Sequence, residues 1–204
     1  MIIGIIDYGL GNIKSILSAI DFLGYDTKLC SKKDDLDDIS HIIIPGVGAY
    51  KRALDLIKKK DLIYKLNSQV LKLQKPVLGI CLGLQLMAEN STEFGINKGF
   101  GWIKGNVDLL PRKSQNLPNI GWESIRHNNS VLFDGIKQNS NFYFVHSYYL
   151  KNNSSDVVAN YNYGGIKIPA VIKKGNIIAT QFHPEKSQDN GLKFLENFIK
   201  SSNG

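Results

Sequence analysis

The stretch Pro76–Met87 restricts the possible folds more than any other part of the sequence. It begins with a short apolar run, Val77–Ile80, of the kind that forms a buried strand. The run leads into Gly79-Ile80-Cys81-Leu82-Gly83, and the residues that follow, up to Glu89, favour a helix. This order predicts a sharp turn from a buried strand into a helix, with Cys81 at the tip and a small residue on either side.

The position of Cys81 favours chemical reactivity. A thiol at a helix N-terminus lies at the positive end of the helix dipole, which stabilises the nucleophilic thiolate. Settings of this kind lower a cysteine pKa from ~8.5 to roughly 3.5–7.5. The alternative is a small, inert cysteine buried in a tightly packed corner between a strand and a helix. This stretch by itself leaves both interpretations open.

Strands and helices alternate in the first part of the chain. The run Ile2–Ile6 is apolar on both faces, which is typical of a central strand in a parallel sheet. Apolar residues recur at helical spacing between the strands. The predicted strands are 2–6, 26–30, 41–44 and 77–80, and the predicted helices are 13–23, 50–57 and 61–73. This alternation predicts an α/β fold with a central, mostly parallel sheet.

The pattern changes after Glu93. Short strand-like runs are separated by turn residues at 106–110, 122–125, 142–145 and 157–161, and they favour an added antiparallel ribbon. The runs 170–173 and 177–181 are predicted to form one hairpin, and a final amphipathic helix follows. Because no internal repeat or low-complexity linker interrupts the chain, we expect one domain over residues 1–204.

Composition argues against several classes of function. The chain of 204 residues is 43% hydrophobic, but it has no apolar stretch near the ~20 residues of a membrane helix and no signal-peptide layout. The net charge of +7 comes from scattered lysines, which indicates a solvated surface rather than a nucleic-acid site. Cys30 and Cys81 lie far apart and form no metal-ligand pair, so we expect a cytoplasmic protein without a bound metal.

The loop after the strand His41–Ile44 is a candidate for anion stabilisation. Pro45-Gly46-Val47-Gly48 ends the strand abruptly and leaves backbone N–H groups free to face a ligand. An oxyanion hole needs donors of this kind. A plain turn from a strand into a helix fits the same four residues equally well.

His183-Pro184-Glu185 is the second informative motif. In an extended segment, residues two apart point the same way, so Glu185 is placed to accept a hydrogen bond from the His183 ring. A cysteine nucleophile requires an oriented base of this type. The alternative is a structural histidine at the end of a strand. Because α/β folds gather their chemistry at the carboxyl ends of parallel strands, the combination with Cys81 favours catalysis.

Taken together, these motifs resemble those of a known family. The stretch Gly79–Gln85 with His183-Pro184-Glu185 resembles the class I (triad) glutamine amidotransferases. Within them, Pro45–Gly48, Tyr143–Tyr148 and Gln181–Ser187 resemble the glutaminase subunits of imidazole glycerol phosphate synthases. The likeness extends over nearly the whole chain. It implies a three-layer, flavodoxin-like α/β fold with an added antiparallel ribbon.

The resemblance also implies a role for the three residues of the two main motifs. Cys81 would attack the side-chain amide of L-glutamine, giving a γ-glutamyl thioester and ammonia. His183 would transfer the protons and Glu185 would orient it. The backbone N–H groups of Leu82 and of the loop Gly46, Val47 and Gly48 would stabilise the oxyanion.

Further positions would hold the substrate. Gln85 and Glu93 occupy positions that bind glutamine in the family, and the carboxylate of Glu93 suits an α-ammonium group. The backbone of His146, Ser147 and Tyr148 would meet the α-carboxylate. No metal and no organic cofactor is implied.

The implied partner is a HisF-type (β/α)₈-barrel synthase subunit, which would use the ammonia in histidine biosynthesis. One departure concerns the region that faces this partner. Family members commonly carry Pro-His-x-Gly-Trp-Asn there, whereas this chain has Asn119 and Glu123 at the histidine and asparagine positions. Either the partner has changed to match, or a paralogue feeds ammonia to another amidotransferase, such as one that modifies a surface sugar. A cysteine peptidase and a non-catalytic binding subunit are the remaining alternatives.

Overall fold

A computed structural model of the chain describes residues 1–111 and 117–201. The strands are β1 (Ile2–Ile6), β2 (Asp26–Cys30), β3 (His41–Ile44), β4 (Val77–Ile80), β5 (Asn90–Ser91), β6 (Asn97–Lys98), β7 (Asn106–Leu109), β8 (Asn119–Ser124), β9 (Arg126–His127), β10 (Asn141–His146), β11 (Tyr148–Lys151), β12 (Val157–Tyr163), β13 (Ile166–Lys174) and β14 (Ile177–Thr180). The helices are α1 (Ile13–Phe22), α2 (Tyr50–Lys59), α3 (Leu62–Asn67), α4 (Leu82–Met87) and α5 (Gln188–Ser201). A π-helical turn, Ser68–Lys72, extends α3 over most of the longer helix that the sequence predicts.

The central sheet contains eight strands within the described residues, in the order β2-β1-β3-β4-β14-β13-β12-β9. The first five strands of this order run parallel to one another. The prediction that β1 is internal and parallel is confirmed, since it pairs with both β2 and β3. The α/β class and the mostly parallel sheet are confirmed with it.

Helices cover both faces of this sheet and give three layers. On one face, Ile3 and Ile5 of β1 belong to the same apolar cluster as residues of α1 and α5. On the other face, Ile6 belongs to a cluster with residues of α2 and α3. Because successive strand residues point to opposite faces, a strand buried on both sides must be apolar at nearly every position.

The antiparallel part continues the same sheet. The predicted hairpin is present as β13 and β14, and β14 also pairs in parallel with β4. A second sheet joins β8 to β10, and a third has the order β11-β7-β5-β6. The two-residue strands β5, β6 and β9 are absent from the sequence prediction because two residues carry no periodicity, and the four-residue strand β11 is absent as well. The strand β8 begins at Asn119, three residues before the predicted start at Trp122.

The parallel strands end at one edge of the sheet. The chain leaves β3 into Pro45, β4 into Cys81 and β14 into Gln181. These three strands are neighbours, so the loops that follow them meet. None of the described helices is long and apolar enough to cross a membrane. The prediction of one domain over 1–204 includes 112–116 and 202–204, which lie outside the described residues.

Candidate active site

Cys81 lies at the tip of the predicted turn, directly between β4 and α4. Its backbone has φ +53° and ψ −103°, a strained conformation for a residue with a side chain. The neighbouring backbone holds it there, since the Cys81 N–H donates to the carbonyl of Thr180 over 2.8 Å. A Cβ on Gly83 would lie 1.9 Å from the carbonyl oxygen of Ile44. The prediction of a small residue beside the cysteine is therefore confirmed, and its cause is the close approach of α4 to β3.

The Cys81 sulfur lies among polar groups and has little access to solvent. The residue is 6% exposed. Its Sγ lies 3.7 Å from the carbonyl oxygen of Val145 and 3.7 Å from Nε2 of Gln181. Sequence reasoning missed the contact with Gln181, although this residue stands only two positions before His183.

His183 and Glu185 form a buried pair. Nδ1 of His183 lies 2.9 Å from Oε1 of Glu185, and their side chains are 2% and 0% exposed. The predicted contact is present, but the predicted geometry is wrong. Pro184–Lys186 form a 3₁₀ turn instead of continuing as an extended segment, and this turn brings the carboxylate back onto the ring.

Asn12 is a third residue in contact with the His183–Glu185 pair, and the sequence did not predict it. Its Nδ2 donates to Oε1 of Glu185 over 3.2 Å, and its Oδ1 accepts from Ser15 Oγ over 3.0 Å. Asn12 precedes α1, near the start of the sequence, whereas Glu185 lies near its end. A separation of 173 residues gives no local signal for this contact.

The electrostatics favour a charged His183. Burial pushes its pKa down, but the Cys81 sulfur and the Glu185 carboxylate outweigh burial and raise the pKa to about 10. Nε2 of His183 is buried and makes no hydrogen bond of full geometry with the described residues. The His183 ring therefore lies between a carboxylate and a sulfur, and this setting favours its protonated form.

The loop Pro45–Gly48 packs against the N-terminus of α4. The Tyr8 hydroxyl donates to the carbonyl of Pro45 over 2.6 Å. A Cβ on Gly46 would lie 2.6 Å from Cβ of Leu82, so only glycine permits this approach. Gly48 has φ +95°, a conformation that side chains disfavour. The loop and the helix N-terminus thus form one wall beside Cys81.

A cavity of about 440 Å³ opens beside Cys81. Its lining includes predicted site residues from four separate parts of the chain, together with Phe94 and Val145, which were not among the predicted site residues. The lining residues are Val47, Gly48, Cys81, Leu82, Gln85, Glu93, Phe94, Val145, His146, Ser147 and Tyr148. A larger cavity, about 740 Å³, lies beside β9 and β12 and contains none of the predicted site residues.

Two polar side chains of the cavity are held by backbone groups. Oε2 of Glu93 accepts from the N–H of Tyr50 over 2.8 Å, at the start of α2. This places the carboxylate at the positive end of a helix dipole. Nε2 of Gln85 donates to the carbonyl of Tyr148 over 2.8 Å. The cavity therefore offers a fixed negative charge on one side and a fixed amide on another.

His146 is buried and neutral. Its Nδ1 lies 2.8 Å from the carbonyl oxygen of Tyr148, and its Nε2 lies 2.9 Å from the hydroxyl of Tyr161. Burial is the largest cause of the fall in its pKa to about 4; the hydrogen bond to the Tyr148 carbonyl opposes the fall, and the charge of nearby His183 adds to it. His146 thus acts here through hydrogen bonds rather than through charge.

The sequence interpretation placed Asn119 in the surface that faces the partner, but the structure buries this residue. The residue is 7% exposed, whereas its neighbours Ile120 and Trp122 on β8 are 60% and 46% exposed. Because side chains alternate along a strand, Asn119 and Glu123 share the inner face of β8. Burial raises the pKa of Glu123, and a hydrogen bond from the Asn119 side chain partly offsets this.

The family model for class I glutamine amidotransferases matches residues 4–201. The chain belongs to the class I glutamine amidotransferase family. This amidotransferase is also similar to solved structures that share its fold. One is titled as a glutamine amidotransferase (TM-score 0.74, 20% identity, covering 97% of this chain and 98% of the other). Another is titled as PurLQS from Thermotoga maritima (TM-score 0.77, 18% identity, covering 98% of each).

Relatives of higher identity are named imidazole glycerol phosphate synthase subunit HisH. The protein from Caldanaerobacter subterraneus subsp. tengcongensis is 44% identical over 197 residues, which is 96% of each chain. The protein from Methanocaldococcus jannaschii is 43% identical over 201 residues, covering 97% of this chain and 98% of the relative. A protein from Campylobacter jejuni, named HisH 1, is 42% identical over 200 residues, covering 97% and 99%. In residues 1–111 and 117–201 of the amidotransferase, no group of three or more His, Cys, Asp or Glu side chains is placed to hold a metal ion.

Proposed function

We propose that this amidotransferase is the glutaminase subunit of an imidazole glycerol phosphate synthase and acts in the cytoplasm. It hydrolyses L-glutamine to glutamate and ammonia. A HisF-type (β/α)₈-barrel subunit then uses the ammonia to make imidazole glycerol phosphate and AICAR in histidine biosynthesis. The names of the full-length relatives support this assignment. The observation that carries the glutaminase activity is Cys81 at the mouth of the cavity, beside the His183–Glu185 pair.

The reaction follows from the placement of these groups. The Cys81 thiolate attacks the amide carbon of the glutamine side chain. His183 gives its proton to the nitrogen, the C–N bond breaks, and ammonia leaves a γ-glutamyl thioester. Water then attacks the thioester with His183 accepting its proton, and glutamate departs as the thiolate reforms. Glu185, supported by Asn12, keeps the ring oriented through both steps.

The rest of the cavity suits glutamine. The N–H of Leu82 and the N–H groups of the Gly46–Gly48 loop lie beside Cys81 and stabilise the negative oxygen of the tetrahedral intermediate. The carboxylate of Glu93 pairs with the α-ammonium group of the substrate. Gln85 and the backbone of Ser147 hold its α-carboxylate end.

The structure weakens the alternatives. A peptidase needs an open groove, whereas Glu93 places a negative charge inside a small cavity and selects a free amino acid. A non-catalytic subunit has no need of the buried His183–Glu185 pair. The two departures from the family motif, Asn119 and Glu123, share the inner face of β8, where Asn119 lowers the pKa that burial raises in Glu123, so they give little support to a paralogue with another acceptor.

Two assays test the proposal. The purified chain is incubated with glutamine and, separately, with casein, alone and with its native barrel subunit. We expect slow release of glutamate from glutamine alone, faster release with the barrel, and no proteolysis. High turnover that the barrel does not change would contradict the coupling to a synthase.

Complementation then identifies the pathway. A histidine auxotroph that lacks its own glutaminase subunit receives this gene with or without the native barrel gene. We expect growth at least when both are present. No growth with both, despite glutamine hydrolysis in vitro, would assign the chain to a different acceptor reaction.

A further inference from the structure

A line of hydrogen bonds leads from β8 to the wall of the glutamine cavity. Nδ2 of Asn119 lies 3.4 Å from the hydroxyl of Tyr161, and this hydroxyl lies 2.9 Å from Nε2 of His146. Nδ1 of His146 lies 2.8 Å from the carbonyl oxygen of Tyr148. That carbonyl also accepts from the amide of Gln85. The line thus ends on two residues that line the cavity.

The end groups fix the direction of every bond in this line. A carbonyl only accepts, so Nδ1 of His146 carries the proton and Nε2 is the bare acceptor. Tyr161 must therefore donate its hydroxyl proton to His146. This leaves the Tyr161 oxygen free to accept from the amide of Asn119. Burial raises the pKa of the Tyr161 hydroxyl, so the proton that it donates is retained.

In the part of the chain that the structure describes, the Tyr161 hydroxyl is the hydrogen-bond partner of His146 Nε2. Asn119 stands directly opposite His146 in the β8–β10 pairing. Phe144 and Tyr161 pack ring against ring at 4.4 Å, and the Tyr161 ring also meets His146 edge-on at 6.1 Å. With Tyr161 3% exposed and His146 6% exposed, water has little access to replace a lost hydrogen bond.

We propose that Tyr161, aligned by Asn119, is a positioning residue that fixes the His146 ring and, through it, the Tyr148 carbonyl and Gln85 at the glutamine cavity. This rests on the glutaminase function proposed above. Tyr161 touches no substrate. Its effect reaches glutamine because the turn between β10 and β11, His146-Ser147-Tyr148, forms one wall of the cavity.

Two variants of the full-length chain test the line at different points. Tyr161→Phe removes the donor to Nε2 and keeps the ring. Asn119→Asp keeps the shape, but its carboxylate accepts the Tyr161 proton and reverses the hydroxyl. The Tyr161 oxygen then favours a proton on Nε2, which leaves the bare Nδ1 facing the Tyr148 carbonyl.

The readouts are steady-state kinetics for glutamine, thermal unfolding, and ¹⁵N NMR of histidine-labelled protein, in which His146 is one of four histidines. We expect KM to rise about five- to tenfold in both variants with kcat little changed, since weaker ground-state positioning acts on binding. The Nε2 resonance should lose its hydrogen-bond shift in Tyr161→Phe. The proton should move to Nε2 in Asn119→Asp.

Matched controls carry the same chemical changes elsewhere. Tyr25→Phe removes a hydroxyl near β2, and Asn160→Asp adds a carboxylate to β12 one residue before Tyr161, where the side chain points to the opposite face. Both should keep the KM and the His146 spectrum of the parent chain. The proposal is wrong if Tyr161→Phe and Asn119→Asp also keep the KM and the His146 spectrum of the parent chain, even when their melting temperatures fall.

The outcomes separate this inference from the function on which it rests. If Tyr161→Phe fails to fold, the KM and the His146 spectrum of Asn119→Asp test the proposal. If the parent chain does not hydrolyse glutamine, the proposed function fails. In that case the NMR signal of His146 alone decides whether Tyr161 positions the ring.

Discussion

The two cysteines occupy comparable places and have different surroundings. Cys30 is the last residue of β2, and Cys81 follows the last residue of β4. Both are buried and neither forms a disulfide. The Cys30 sulfur lies 3.6 Å and 3.5 Å from the carbonyl oxygens of Lys28 and Asp35. Burial, followed by the charge of Asp35, raises its pKa to about 11. Cys81 instead meets His183 and an open cavity.

The difference comes from the position of the two strands in the sheet. Within the described residues β2 is an edge strand that pairs only with β1, so the end of one neighbouring strand, at Asp7, lies beside Cys30. β4 lies between β3 and β14, whose ends bring the Pro45–Gly48 loop and His183 to the cysteine. The carboxyl end of a parallel strand is thus not sufficient for a reactive site. The strand also needs neighbours on both sides.

The largest expected effect is the loss of the Cys81 thiol. Cys81→Ala should lower glutamine hydrolysis on the order of 10⁴-fold or more, because the covalent intermediate can no longer form. Cys30→Ala is the matched change and should stay active. Glutamate release by both variants is the measurement, with circular dichroism to verify the folds. More than a few per cent of activity in Cys81→Ala would remove Cys81 from the mechanism.

The next largest effects are the losses of kcat on changing His183 and Glu185, the buried pair beside Cys81. His183→Ala removes the proton carrier and should cost about 10⁴-fold in kcat, whereas Glu185→Gln removes only orientation and charge and should cost about 10²-fold. The half-buried His127 lies away from the cavity, so His127→Asn serves as the control. A larger loss from Glu185→Gln than from His183→Ala would contradict the assigned roles.

The rate of alkylation by iodoacetamide compares the reactivity of the two cysteines directly. At pH 8, iodoacetamide should modify Cys81 about 10²-fold faster than Cys30, since the Cys30 thiol stays protonated well below its pKa of about 11. Raising the pH should reduce the difference between the two modification rates, because the Cys30 thiol ionises. Peptide mass spectrometry over time measures both sites, and added glutamine should slow modification only at Cys81. Equal rates at pH 8 would show that the two surroundings are chemically equivalent.

The smallest expected effect concerns the glycines that pack beside the two cysteines. A Cβ on Gly83 would meet a backbone carbonyl at 1.9 Å, whereas a Cβ on Gly4 would meet the end of the Ile39 side chain at 2.3 Å and the Cys30 sulfur at 3.1 Å. A backbone carbonyl cannot move aside as a side chain can. We expect Gly83→Ala to cost about 3 kcal/mol of unfolding free energy and Gly4→Ala about 1 kcal/mol. Urea unfolding measures both, and equal losses would show that α4 is free to shift.

Local patterns in the sequence were sufficient where each element carries its own signal. β1, β3 and β4 are continuous apolar runs, and the glycines beside Cys81 mark the turn into α4. The short strands β5, β6, β9 and β11 carry no such signal, because their ladder partners rather than their own residues make them strands. The contact between His183 and Glu185 was predicted correctly from spacing, but through the wrong backbone conformation.

By itself, the sequence determined the α/β class, the sharp turn at Cys81 and the family, because apolar runs, small residues and short motifs are properties of neighbouring positions. Only the tertiary structure decided which distant residues complete the site. Asn12 reaches Glu185 because β1 lies in the same sheet as β14, and Tyr161 reaches His146 because β12 packs behind β8. Contacts between residues far apart in the chain depend on strand order and register, which local patterns in the sequence do not reveal.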